Sequence, residues 1–177
     1  MANFEKIFKE QTLSGENTHE IRFGFDKDQI KKYGFGSDFY SFGAEDAKKI
    51  CFEQYWEPFG FQAIQNSKVA SEVFEFTRHT GNGELSVKIL QRAFNVLNKN
   101  ILLREDGILG ERTIASINTY KFYKSLFKTL NILHGMYYVY EAEGNDYALQ
   151  NMLLHQTSSS NIVDKFFIRN WIDKIVK

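Results

Sequence analysis

The chain has 177 residues, and its 22 Lys and Arg residues balance its 22 Asp and Glu residues, so the formal net charge at neutral pH is zero. A balanced charge does not indicate a surface that binds polyanions, and we therefore expect no nucleic-acid partner. The single cysteine, Cys51, excludes an intramolecular disulfide and a cysteine-based metal cluster.

The N-terminal residues do not resemble a secretory signal, because lysines and glutamates interrupt their apolar positions. No later stretch approaches the roughly 20 apolar residues that span a bilayer. We therefore expect synthesis in the cytoplasm without a signal peptide and no membrane insertion. A function outside the cell would then require that the protein is exported or released by another route.

The first predicted element is a short amphipathic helix over Asn3–Gln11, with Phe4, Ile7 and Phe8 on one side. The segment that follows, residues 15–43, is polar, rich in glycine and rich in aromatic residues, which is typical of short strands or turns. A loop region this long is usually functional or disordered. Because its aromatic content argues against disorder, we expect a functional site in residues 15–43.

Two helices are predicted next. The first covers Ala44–Tyr55, where Ala47, Ile50, Cys51 and Tyr55 share the buried side, so Cys51 is expected to act as a small buried hydrophobe. The second covers Ser67–Thr77, and a loop is expected at residues 79–83.

The strongest helical pattern lies at residues 85–99. A narrow polar stripe runs along this predicted helix and contains Lys88, Gln91, Arg92, Asn95 and Lys99. The surrounding positions are apolar, so neighbouring elements must enclose most of the helix. Asp106-Gly107 then predicts a turn, Gly110 allows a second change of direction, and Glu111 opens another helix.

Residues 113–142 show a nearly unbroken helical pattern, with a kink expected near Asn118-Thr119 or at Gly135. A turn at 144–146, a short helix at 147–155, a loop at 158–160 and a last helix at 161–176 complete the chain. The sequence therefore predicts a mainly α-helical single domain with a short irregular or β-containing segment near the N-terminus.

Several acidic residues fall in the expected site segment, namely Glu16, Glu20, Asp26 and Asp28. Glycosidic-bond cleavage commonly pairs a protonated carboxylic acid with an ionised carboxylate. Desolvation could keep the carboxyl group of a glutamate neutral where aromatic rings surround it, while the carboxylate of a hydrated aspartate stays charged. On residue types alone, solvated loop acids remain the alternative interpretation. The four histidines lack ligand spacing, so no metal site is expected.

Several short motifs occur in order along the chain. They are Ser14-Gly15-Glu16, the stretch from Asp26 to Phe35, Gln54-Tyr55-Trp56, Phe74 to Gly81, Leu90 to Phe94, Asp106 to Thr113, and Asn170 to Lys174. Together they resemble glycoside hydrolase family 108, the phage-type N-acetylmuramidases that hydrolyse peptidoglycan. The resemblance is strongest in the motifs at 90–94 and 106–113.

The resemblance implies a lysozyme-like domain over residues 1–177, with a catalytic half at approximately 1–83 and a peptidoglycan-associated helical half at 84–177. It implies cleavage of the β-1,4 bond between N-acetylmuramic acid and N-acetylglucosamine, with Glu16 as general acid and Asp26 as second acid. Lys31 stands where the family has a threonine beside the attacking water.

Tyr33, Tyr55 and Trp56 are candidate surfaces for sugar rings, with core packing as the alternative interpretation. His79 replaces an asparagine of a family motif and is a further substrate-binding candidate. The implied partner is the glycan strand of peptidoglycan, and no metal or cofactor is expected. Two other functions fit the same scaffold: a catalytically impaired cell-wall-binding module, and a structural component of a phage or secretion apparatus.

Overall fold

The computed structural model describes residues 2–12, 17–35, 39–98 and 101–142. Within these ranges the chain is mainly α-helical, and the strands form a two-stranded antiparallel hairpin, which confirms the prediction of a mainly α-helical fold. No described helix is both long enough and apolar enough to cross a membrane. The chain forms two compact units, Met1–Gly81 and Asn82–Lys177.

The first unit begins with helix α1, Phe4–Gln11, as predicted. The Asn3 side chain caps this helix by accepting a hydrogen bond from the Lys6 N–H at 3.1 Å. Ile7 and Phe8 are buried, as the amphipathic pattern indicates.

The glycine- and aromatic-rich segment forms a small hairpin followed by a short helix. Strands β1, Ile21–Arg22, and β2, Phe25–Asp26, pair with Ile21 opposite Asp26. Helix α2, Lys27–Lys32, begins directly after β2. The sequence pattern did not predict α2, because six residues are too few to show a helical period.

Helix α3, Ala44–Ile50, continues into a π-helical turn at Cys51–Trp56. Two short 3-10 turns follow, at Glu57–Phe59 and Phe61–Ala63. Cys51 is fully buried, which confirms the expectation from its position in the helical pattern.

Helix α4, Ser67–Thr80, ends three residues later than predicted, and helix α5, Gly83–Leu97, begins two residues earlier than predicted. The loop predicted at residues 79–83 is therefore wrong. Only Gly81 and Asn82 separate the two helices. Gly81 adopts a left-handed conformation with φ of 68°, and the Asn82 side chain accepts a hydrogen bond from the Leu85 N–H at 3.0 Å. A C-cap followed at once by an N-cap therefore replaces the expected loop.

The second unit contains α5, helix α6, Glu111–Thr119, and helix α7, Tyr123–Ala142. Helix α5 packs against α7. The expected kink near Asn118-Thr119 is a full interruption that begins at Tyr120, whose ring packs edge-on against Phe94 with centroids 5.3 Å apart. Lys99 and the elements predicted at 144–176 lie outside the described residues.

Candidate functional site

The candidate site lies in the first unit, where the hairpin meets α4. Glu16, the predicted general acid, lies outside the described residues. The next residue along the chain, Asn17, is described: its Oδ1 accepts a hydrogen bond from the Phe23 N–H at 2.8 Å. The hairpin turn is thus tied to the residue that follows the predicted acid.

Asp26 ends β2 and is exposed. Its Oδ1 accepts a hydrogen bond from the Gln29 N–H at 2.8 Å, and Gln29 Oε1 accepts one from the Asp26 N–H at 3.0 Å. This reciprocal capping box holds the carboxylate in place and stabilises the start of α2.

Tyr33 and Tyr55, two of the residues predicted as surfaces for sugar rings, are in contact. Their hydroxyl oxygens lie 2.5 Å apart in a hydrogen bond, and their rings meet edge to face. Burial raises the pKa of the Tyr55 hydroxyl well above its ordinary range, and the hydrogen bond with Tyr33 adds to this effect. Tyr33 is half-buried and Tyr55 is buried, so Tyr33 has the more accessible ring.

Trp56 is only 1% exposed. Its ring packs against Phe4, Phe61 and Phe74, with centroid distances of 5.3, 6.0 and 5.7 Å. This indole therefore belongs to the apolar core and presents no face on which a sugar ring could stack.

His79 lies in the last turn of α4 and is exposed. Its Nε2 lies 3.1 Å from Nη2 of Arg78. Partial desolvation of the imidazole lowers its pKa, and the adjacent Arg78 cation lowers it further. The neutral imidazole therefore predominates at neutral pH and can accept or donate a hydrogen bond.

Arg78 was not among the predicted site residues, yet it joins α4 to the hairpin. Its Nη1 donates a hydrogen bond to the Gly24 carbonyl oxygen at 3.2 Å. Gly24 has φ of 78°, and a Cβ atom there would overlap this guanidinium, so only glycine fits without displacing Arg78. The Nε atom of Arg78 is buried and has no hydrogen-bond partner among the described residues.

Glu75 lies three residues before Arg78 on α4 and is a second residue of this helix that the sequence pattern did not single out. It is half-buried and makes no hydrogen bond or ion pair with any described residue. Burial raises the pKa of its carboxyl, the nearby Glu72 raises it further, and Arg78 opposes the shift. A signal was present in the sequence, since Glu75 is a charged residue between two buried aromatic residues, Phe74 and Phe76.

The described part of the site thus contains an exposed carboxylate, Asp26, a tyrosine pair and a fixed guanidinium, Arg78. No protein-family model matches the sequence, and no curated protein matches it significantly.

Proposed function

We propose that this protein is a lysozyme-like peptidoglycan hydrolase, an N-acetylmuramidase that cleaves the β-1,4 glycosidic bond of cell-wall glycan. The order of its sequence motifs, which resembles glycoside hydrolase family 108, supports the proposal. In this proposal the protein acts at the bacterial cell wall after export or release, and the glycan strand of peptidoglycan is its partner.

The observation that carries the proposal is the position of Asp26. Its carboxylate is exposed at the end of the hairpin and is oriented through one oxygen, Oδ1, by the capping hydrogen bond from Gln29. Its other oxygen, Oδ2, has no partner among the described residues. An oriented carboxylate with one accessible oxygen suits the base or nucleophile of a glycosidase.

The proposed reaction uses two carboxyl groups. Glu16 protonates the leaving glycosidic oxygen, while Asp26 activates water or stabilises the oxocarbenium-like centre. Tyr33, with its half-buried ring close to Tyr55, offers a surface for one sugar ring.

The test compares Glu16→Gln and Asp26→Asn with the wild type in the release of reducing ends from purified peptidoglycan. Asparagine caps a helix about as well as aspartate, so Asp26→Asn removes the charge and keeps α2 capped. We expect each variant to lose at least about 100-fold in rate, the scale of general acid–base catalysis. Asp28→Asn, an exposed neighbour in α2, is the control and should retain activity. Wild-type activity in Asp26→Asn would refute the role of Asp26.

One observation favours a second function, a module that binds cell-wall glycan without cutting it. The capping box gives Asp26 a structural role that requires no catalysis. Co-sedimentation of the wild type with insoluble peptidoglycan, without release of reducing ends, would favour the binding module over the hydrolase.

A further inference from the structure

A groove in the first unit lies between the start of α1 and the exposed side of α3. Its volume is about 620 Å³, and pockets that hold small ligands commonly measure about 300–1,000 Å³. The residues that line it come from α1, from α3 and from the π-helical turn that follows α3, and none of them belongs to the candidate site described above. This α1–α3 groove is therefore a separate surface of the unit.

Two phenylalanine rings form the apolar surface of the α1–α3 groove. The ring of Phe52 packs edge-on against that of Phe4, with centroids 5.2 Å apart. The core holds Phe4 in turn, since its ring centroid lies 5.3 Å from Trp56 and 5.9 Å from Phe74. Phe52 is 36% exposed. An aromatic ring that is held on one side and exposed on the other offers a flat apolar surface to a ligand.

The side chains at the rim of the groove carry both hydrogen-bond donors and acceptors. The Lys48 ammonium lies 2.8 Å from a carboxylate oxygen of Glu45 and 3.5 Å from one of Glu5, so it bridges α3 and α1. Lys49 is exposed and makes no ion pair with a described residue. Asn3 caps α1 with its Oδ1 atom, which leaves its amide N–H groups without a partner in the described part of the chain.

The charges around the groove restrict the chemistry of a ligand there. Three lining residues are acidic, Glu5, Glu45 and Asp46, and two are basic, Lys48 and Lys49, so their formal sum is only −1. This near balance favours neither a strongly charged anion nor a strongly charged cation. An uncharged ligand that is rich in hydroxyl groups can donate to the carboxylates and accept from the ammonium and amide groups. A sugar has these groups, together with an apolar face that can cover the Phe52 ring.

We propose that the α1–α3 groove is a second, non-catalytic glycan-binding site, in which the Phe52 ring packs against a sugar residue and the rim groups hydrogen-bond its hydroxyls. The choice of a cell-wall glycan as ligand rests on the proposed function. The inference adds to that function a surface that holds the polymer without cutting it. Such a surface raises the local concentration of glycosidic bonds around the proposed reaction centre.

The experiment titrates the full-length, ¹⁵N-labelled chain with a soluble N-acetylglucosamine oligomer and follows the backbone amides by NMR. Every sample carries Asp26→Asn, so that the oligomer is not cleaved during the titration. The amides of Glu45, Lys49 and Phe52 should shift. The affinity that they report should fall about threefold to tenfold in Phe52→Ala and stay within about twofold in Phe52→Tyr, which keeps the ring. Phe122→Ala removes a phenylalanine of the second unit that is 48% exposed and should leave the affinity unchanged.

Two further measurements separate a ligand contact from other roles of Phe52. Thermal unfolding tests a structural role: weaker binding in both Phe52 variants, together with lower unfolding midpoints, would overturn the inference. Sedimentation velocity without oligomer tests a second copy of the chain as the occupant. A dimer that Phe52→Ala dissociates would assign the groove to self-association and would also overturn the inference.

The inference and the proposed function fail in distinguishable ways. If the amides around the groove do not shift, or if Phe52→Ala binds as tightly as its reference, the second glycan site is refuted. The proposed function then stands, because the release of reducing ends from peptidoglycan tests it separately. If the wild type neither binds the oligomer nor releases reducing ends, the proposed function fails, and the assignment of a glycan to the groove fails with it.

Discussion

Gln91 accepts a hydrogen bond from the Gly107 backbone N–H at 3.0 Å, which ties the middle of α5 to the turn that precedes α6. The Nε2 atom of Gln91 lies within hydrogen-bond distance of Asp106 Oδ1, the Ile108 carbonyl oxygen and Thr113 Oγ1. Gln91 is only 1% exposed. One buried amide therefore organises the loop between two helices, which explains a glutamine in the polar stripe of an otherwise apolar helix.

The Gln91→Leu variant should lose about 2–4 kcal/mol of unfolding free energy, because leucine leaves several buried loop groups without partners. Denaturant unfolding followed by far-UV circular dichroism measures this loss. Lys124→Gln changes an exposed residue of α7 and should leave the unfolding free energy unchanged within about 0.5 kcal/mol. A Gln91→Leu variant as stable as the control would show that the amide contacts are dispensable.

Gly107→Ala should destabilise the second unit by about 1–3 kcal/mol. Gly107 has φ of 78°, and a Cβ atom there would lie 2.8 Å from the Glu84 carbonyl oxygen, which is backbone and has little freedom to move. Gly135→Ala is the matched control, and its effect on the unfolding free energy should have the opposite sign, since nothing lies within 4 Å of that Cβ position. Alanine inside α7 should stabilise by about 0.5–1 kcal/mol, and equal effects in the two variants would contradict the explanation.

Cys51 should resist alkylation in the folded protein. The thiolate is the species that reacts with alkylating agents. Burial raises the pKa of Cys51 to about 12, so almost no thiolate is present at about pH 8. Iodoacetamide labelling followed by mass spectrometry should detect little modification before denaturation and complete modification after it. Rapid labelling of the native chain would mean that this thiol is accessible.

The stability difference between Glu75→Gln and the wild type should depend on pH. Because the pKa of Glu75 is raised in the folded state, the folded protein binds the proton more tightly than the unfolded chain. The contribution of Glu75 to stability is then fully present below its unfolded pKa of about 4.3 and is lost as pH rises through the folded pKa. Thermal unfolding from acid to neutral pH should therefore show similar midpoints in acid and a higher midpoint for the glutamine variant at neutral pH. A constant difference would contradict the raised pKa.

The larger helices could be predicted because their signals are local. The apolar spacing of α1, α5 and α6 follows the helical period, and polar or glycine residues at Asn3 and Gly110 begin two of these helices. Helix α2 was not predicted because it is short. The junction between α4 and α5 was wrongly predicted as a loop, because Gly81 and Asn82 act as helix caps.

The sequence by itself determined the helical class, the buried sides of the main helices and the burial of Cys51, since these depend on periodicity along the chain. Only the tertiary structure decided which polar and aromatic residues are exposed and which lie in the core. Trp56 lies among phenylalanines from three other segments, whereas Arg78 reaches Gly24 across 54 residues of sequence. Burial and hydrogen-bond pairing arise from contacts between distant segments, and a residue's type does not reveal them.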